Sequence, residues 1–180
     1  MHTIKMRELT KKDWKMYKTL RLSSLKDSPE SFCSTFELES AFQDAQWQAR
    51  LNVNTRPERR VLVVAEINHV PLGVICGVTH AEDDHAAYVY QMWVSPDTRG
   101  LGVGKSLLNY IIHWAEGFGL QTLALSVTTT NSPAIKLYTA LGFEIDGELE
   151  ELRQGSALEC QSMVLSLNSR SAYPGVKYQG

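Results

Sequence analysis

Val94-Ser95-Pro96-Asp97-Thr98-Arg99-Gly100-Leu101-Gly102-Val103-Gly104-Lys105-Ser106 is the stretch on which the reading of this chain turns. Just before it, Ala87 to Val94 has the apolar, β-branched and aromatic character of a strand. Just after it, Leu107 to Phe118 reads as an amphipathic helix, with Val103, Leu107, Leu108, Ile111, Ala115 and Phe118 as its apolar positions. Three glycines lie between the two. Without a Cβ they let ligand oxygens come close to backbone N–H groups. The following helix adds unpaired N–H donors and the positive end of its dipole. Arg99 and Lys105 add formal charge, so the chemistry points to a phosphate-bearing ligand.

Spacing narrows the choice of ligand. A Walker A loop needs glycine where Arg99 stands, so the P-loop reading and a nucleotide-hydrolysing switch both fail. A dinucleotide fingerprint needs a third glycine where Leu107 stands. A flexible glycine turn with no ligand is the bland alternative for the loop taken alone.

Outward from the loop, strands and helices divide the chain. Ile4, Met6 and Leu9 mark a short strand, and Thr10 is placed to cap the amphipathic helix through Trp14, Tyr17, Leu20 and Leu25 that Asp27-Ser28-Pro29 ends. Phe36 to Leu51, rich in Gln, Glu and Ala, reads as a second helix, closed by Thr55-Arg56-Pro57. Val61–Ala65 and Leu72–Val78 are strands joined by a turn at Asn68-His69-Val70-Pro71, and Glu82-Asp83-Asp84-His85 turns the chain into the strand before the loop. Three strands with tight connections imply an antiparallel meander. Beyond the loop helix come a strand at Leu123–Val127, a helix at Pro133–Leu141 ended by Gly142, and strands at Phe143–Leu149 and Leu158–Leu167. Ser132 is the expected cap of the short helix, with Pro133 in its first turn.

Bulk composition sets the frame. With 180 residues the chain fits one domain, since domains commonly run to ~100–200 residues. Hydrophobic residues make up 43% and charged residues 21%, which suits a soluble protein, and a net charge of -2 argues against a broad grip on nucleic acid. Cys33, Cys76 and Cys160 show neither C-x-x-C pairing nor metal-ligand spacing with the five histidines. They read as reduced thiols, which points to a cytoplasmic protein, and no metal is expected. Neither a signal-peptide core at Met1–Arg7 nor a membrane-length apolar run is present. The expected organisation is one α/β domain over residues 1–167 and a mobile tail at 168–180.

Two motifs in this order resemble the GNAT family of acetyl-CoA-dependent N-acetyltransferases. Met92-Trp93-Val94-Ser95-Pro96 followed by Arg99-Gly100-Leu101-Gly102-Val103-Gly104 is similar to the family's central motif. Asn131-Ser132-Pro133-Ala134-Ile135-Lys136-Leu137-Tyr138-Thr139-Ala140-Leu141-Gly142-Phe143 is similar to its N-x-x-A-x-x-L-Y-x-x-x-G-F motif. The resemblance also takes in Arg21-Leu22, Leu25 and Pro29-Glu30-Ser31-Phe32. It implies a mixed, mostly antiparallel central sheet with helices on both faces, of the α/β (α+β) class, with two neighbouring strands splayed around acetyl-CoA as co-substrate. It implies backbone groups at Met92 and Val94 against the pantetheine arm. The pyrophosphate would lie against Arg99, Gly100, Leu101, Gly102, Val103, Gly104, Lys105 and Ser106. Asn131 would meet the amide arm, and Tyr138 would face the thioester sulfur. Phe32 and Phe36 are candidates both for an acceptor pocket and for the core.

The implied reaction is direct attack of an amine, from a small molecule or a peptide, on the thioester. A non-catalytic acyl-CoA-binding module is the rival, and a homodimer stays open. A phenol near ~10 facing a thiol near ~8.5 gives up its proton about 2 kcal/mol uphill, so Tyr138 fits a hydrogen-bond donor to the thiolate better than a full acid. A lysine-like amine near ~10.4 costs roughly 4.6 kcal/mol to deprotonate at neutral pH. Tyr90 and Gln91 occupy the strand positions where many family members carry a carboxylate, so no direct base is evident. Water-mediated access to Glu66 or to Glu82–Asp84 is one route left open. The acidic run Glu144, Asp146, Glu148, Glu150 and Glu151 reads first as a solvated strand face.

Overall fold

A computed structural model describes residues 3–52 and 59–167. Thr55-Arg56-Pro57 and the tail 168–180 lie outside the described residues. Seven strands make one sheet: β1 (Lys5–Glu8), β2 (Arg60–Ile67), β3 (Val70–His80), β4 (Asp83–Val94), β5 (Thr122–Thr128), β6 (Glu144–Glu151) and β7 (Glu159–Ser166). Their order across the sheet is β1-β2-β3-β4-β5-β7-β6, and every neighbouring pair is antiparallel except β4 and β5. The expected meander is present as β2, β3 and β4. Its first turn is as short as a hairpin allows: Ile67 pairs with Val70, and Asn68 and His69 take φ of 50° and 64°. Positive φ at both turn residues matches the twist of the flanking strands.

Helices cover both faces, because β2 and β3 send alternate apolar residues to opposite sides. Val61, Val63, Ala65 and Ile75 join a core with α4 (Val103–Gly117) and α5 (Ser132–Ala140), while Leu62, Val64, Val74 and Cys76 join a second core with α1 (Trp14–Asp27) and α3 (Asp44–Arg50). α4 can press on β3 because Gly77 leaves room for it. A Cβ there would lie 3.1 Å from the Trp114 ring and 3.2 Å from Ile111. Crossing back over the sheet through α4 returns the chain in the same direction, which makes β5 parallel to β4.

The second core contains a buried charge cluster. Glu39, in α2 (Phe36–Ser40), is 1% exposed and accepts bonds from Arg21 Nε and Nη2 and, at 2.8 Å, from Arg50 Nη1. Burial alone would raise the Glu39 carboxyl, but these partners hold it below its ordinary value.

Several boundaries differ from the sequence reading. The expected helix at Phe36–Leu51 is two helices, α2 and α3, because the Gln46 amide oxygen accepts the Gln43 N–H at 2.8 Å and caps a new start. Asp83 to His85 belong to β4 rather than to a turn. Asp83 is opposite His80, and its carboxylate accepts the His85 N–H at 3.0 Å and the Tyr88 hydroxyl. Asn131, not Ser132, caps α5, accepting the Ala134 N–H on Oδ1 at 3.3 Å. α4 begins at Val103, a turn earlier than Leu107, and Phe118 is exposed past its end under the Arg59 guanidinium. β6 is solvent-exposed along its whole length, which agrees with the solvated reading of its acidic run.

Candidate active site

The sheet opens between β4 and β5. Only Ala86 with Thr122, Ala87 with Leu123, and Tyr88 with Ala124 are paired; beyond them both strands run on without joining. The separation has a local cause in β4. Between the pairs Val74–Trp93 and Cys76–Tyr90, two β4 residues face one on β3, which is a β-bulge. Gln91 in that bulge has φ 55°, a left-handed conformation that non-glycine residues seldom hold. It is held by a partner the sequence gives no hint of: the Tyr17 hydroxyl donates to Gln91 Oε1 at 2.7 Å from α1.

The glycine loop stands at the end of this gap, since β4 ends at Val94 and α4 starts at Val103. Gly100 and Gly102 have φ of 80° and 82°, and a Cβ on either would meet nothing within 4 Å. The loop therefore offers open space beside its backbone. Gly104 differs, since its Cβ would come 3.2 Å from Leu137 Cδ2 and from Met92 Cε. It seats the first turn of α4 against β4 and α5. The Ser106 hydroxyl turns back on the Gly102 carbonyl at 3.1 Å, and Leu101 and Lys105 point outward into solvent. Arg99 Nε donates to the Val94 carbonyl at 3.1 Å, and its Nη2 is ion-paired with Asp27.

Asp27 is a site residue that sequence reasoning missed. At the C-terminal end of α1 it also accepts from Trp93 Nε1 at 2.9 Å and from Ser28 Oγ at 2.7 Å, so it fixes both the loop arginine and the β4 indole. Burial alone would raise its carboxyl; the bonds from Trp93, Ser28 and Arg99 outweigh that and hold it below its ordinary value.

α5 brings Tyr138 to the same gap from the α4 side. Its ring packs in the core with Phe143, and its hydroxyl donates to Met92 Sδ at 3.5 Å. Burial pushes the phenol up to about 12. Thioether sulfur is a weak acceptor, so this hydroxyl is close to a β4 side chain without being tightly used. Asn131 is about two turns before it, at the cap of α5, donating through Nδ2 to Ser31 Oγ at 3.4 Å. Thr128 Oγ1 reaches the Glu30 carbonyl at 2.7 Å, and Arg153 Nη1 reaches the Pro29 and Phe32 carbonyls. The segment after α1 is thus fastened across the open end of the gap. Phe32 is buried beneath the Arg21 guanidinium, which makes it a core residue, and Phe36 is part-buried under Lys26. Glu66 is engaged by Arg7 at 2.9 Å. Among the described residues, no His, Cys, Asp and Glu are grouped so as to hold a metal, and no helix is long and apolar enough to cross a membrane.

A glycine loop opening a helix beside a half-unzipped parallel strand pair coincides with the family match. The model of the acetyltransferase (GNAT) family matches residues 18–143. The chain belongs to the GNAT family.

Among curated GNAT relatives, an N-acetyltransferase of Methanocaldococcus jannaschii is 35% identical over 85 residues, 45% of this chain and 38% of that protein. The L-methionine sulfoximine/L-methionine sulfone acetyltransferase of Pseudomonas aeruginosa is 32% identical over 87 residues, 47% of this chain and 51% of that protein. The chain thus spans about half or less of the length of these relatives. In fold it is similar to the spermidine N-acetyltransferase of Vibrio cholerae, solved with CoA and spermine, at TM-score 0.75 and 17% identity over 92% of this chain and 96% of that one. Agreement at that identity is agreement of the GNAT fold, including the seven-strand mixed sheet with helices on both faces.

Proposed function

We propose that this chain moves the acetyl group of acetyl-CoA onto a primary amine of a small molecule or peptide, by direct attack and without a covalent enzyme intermediate. The observation that carries this reading is the β4–β5 gap, with the glycine loop at one end and the Tyr138 hydroxyl beside Met92 within it. The residues fit the co-substrate, since the loop leaves open space at Gly100 and Gly102 where side chains would obstruct an anion. Acetyl-CoA, when bound, supplies a reactive thioester. The backbone N–H groups of Gly100 and of Gly102 to Lys105, with the charges of Arg99 and Lys105, would hold its pyrophosphate, while the Leu101 and Ser106 N–H groups already donate to the Thr98 and Gly102 carbonyls. Unpaired backbone of β4 near Met92 and Val94 would take the pantetheine arm as an added strand takes its neighbour, and Asn131 would meet its amides.

Tyr138 donates a hydrogen bond to the departing thiolate. With its phenol near 12 and a thiol near ~8.5, full proton transfer would stand about 5 kcal/mol uphill, so the role is stabilisation of charge. One observation favours the rival, an acyl-CoA-binding module: β4 offers Tyr90 and Gln91 where a carboxylate base would be useful. Free thiols at Cys33, Cys76 and Cys160 support a reducing, cytoplasmic setting. The deciding experiment measures CoA thiol release from acetyl-CoA with spermidine, methionine sulfone and a lysine peptide. Amine-dependent release supports the transferase, and CoA binding with no release to any amine supports the module.

A further inference from the structure

The unpaired stretch of β4 has a second face. Met92 and Val94 pack on the α4 side, where Tyr138 also lies. Tyr90 is on the other side, because it pairs with Cys76, whose side chain belongs to the core under α1. A thioester held in the gap from the α4 side leaves the α1 side for the amine. Three β4 residues in the open stretch serve that side with polar groups; Gln91 Oε1 is taken by Tyr17 and Trp93 Nε1 by Asp27. That leaves Tyr90, which is 44% exposed. Its hydroxyl lies 3.1 Å from His80 Nε2. His80 stands at the end of β3, solvent-exposed, with its ring 4.9 Å from that of Tyr88. Asp83, across from it, is already accepting from Tyr88 and the His85 N–H.

We propose that Tyr90 and His80 form a proton relay that readies the acceptor amine, with Tyr90 as the catalytic residue and His80 as its positioning and proton-accepting partner. The inference rests on the transferase reading above. The incoming ammonium gives one proton to Tyr90 Oη while the Tyr90 proton passes to His80 Nε2 and from there to solvent. The freed nitrogen lone pair forms the bond to the thioester carbon as the carbon–sulfur bond breaks, and the second N–H proton ends on the thiolate. His80 must start with its proton on Nδ1 so that Nε2 can accept. Burial, with the nearby Cys76 and Cys33 thiols, raises the Tyr90 phenol above its ordinary value, so it works by passing a proton on rather than as a standing phenolate. An imidazole is suited to the terminal position because one ring nitrogen can accept a proton while the other releases one. This arrangement supplies a route that the missing strand carboxylate denies.

The test combines single-turnover rates with a measurement on the free protein. With saturating acetyl-CoA and spermidine as the probe amine, or whichever panel amine turns over fastest, Tyr90→Phe and His80→Ala should each lower the chemical rate by about 10²-fold. The double variant should be no slower than either single one. Added imidazole should restore His80→Ala and leave Tyr90→Phe unchanged, which a structural role for His80 would not produce. In the free protein, ¹⁵N spectra of the His80 ring should show the Nδ1–H tautomer, shifting in Tyr90→Phe. Full rates in both variants, or a His80→Ala loss that imidazole fails to restore, or an Nε2–H tautomer, would overturn the relay while leaving the transferase intact. A wild-type protein that turns over no amine would remove both.

Discussion

Replacing Tyr138 with Phe isolates one oxygen. The ring stays in the core against Phe143, and the lost hydroxyl has a thioether as its partner at 3.5 Å. A weak bond of that kind contributes no more than about 1 kcal/mol, so the folded protein should lose little stability and acetyl-CoA should bind nearly as before. The transition state has more to lose. Negative charge grows on a sulfur in a site where burial has pushed the phenol up to about 12, and a buried donor facing new charge is worth about 1.4–4 kcal/mol. The chemical step should therefore slow by ~10- to 1,000-fold. Rapid-quench single turnovers with saturating acetyl-CoA report that step apart from product release. An unchanged rate, with the fold intact, would show that Tyr138 is a core aromatic and that the thiolate leaves unaided.

Four further outcomes follow from the geometry. CoA at a hundred times its dissociation constant should stabilise the wild type by about 2.7 kcal/mol in a thermal-shift assay, while ATP and NAD give no shift. Gly102→Val should abolish the CoA shift, because a branched side chain both resists φ of 82° and fills the open space of the loop; retained CoA affinity would show the loop to be misassigned. Asp27→Asn should lower stability by about 1 kcal/mol at neutral pH and by less at pH 2. The wild-type carboxylate, held below its ordinary value, contributes above about pH 4 and loses that contribution as the pH falls through its folded-state value, which urea titrations at both pH values would read. Glu39→Ala should cost about 3–5 kcal/mol by leaving Arg21 and Arg50 without their shared carboxylate, and a denaturation midpoint near that of the wild type would contradict this.

What could be read from the sequence was local in origin. The continuous apolar, β-branched run Val61–Ala65, the glycine loop before Leu107, and the Pro133–Gly142 bracket around α5 each reflect preferences set within a few residues. They gave the meander, the loop helix and the short helix α5, while the placing of Tyr138 beside the loop rested on the GNAT resemblance. Asp27 with Arg99, Tyr17 with Gln91, and Tyr90 with His80 were out of reach, since 72, 74 and 10 residues separate the partners and only the assembled sheet joins them. The split between α2 and α3 was missed for a different reason. Helix propensity across Phe36–Leu51 is uniformly good, and a side-chain cap from Gln46 decided the matter.

The short ladder between β4 and β5 also divides the molecule into two lobes that can breathe. β1 to β4 form one, β5 to β7 the other, and along the sheet a three-residue seam joins them. Amides of β4 beyond Tyr88 that face the seam have no strand to bond, so they should exchange with deuterium far faster than their alternates facing β3. Occupancy of the gap would pin the lobes together and slow that exchange. The acetyl donor then acts as the missing rung of the sheet, and the acceptor meets a floor that stiffens only once the donor is in place.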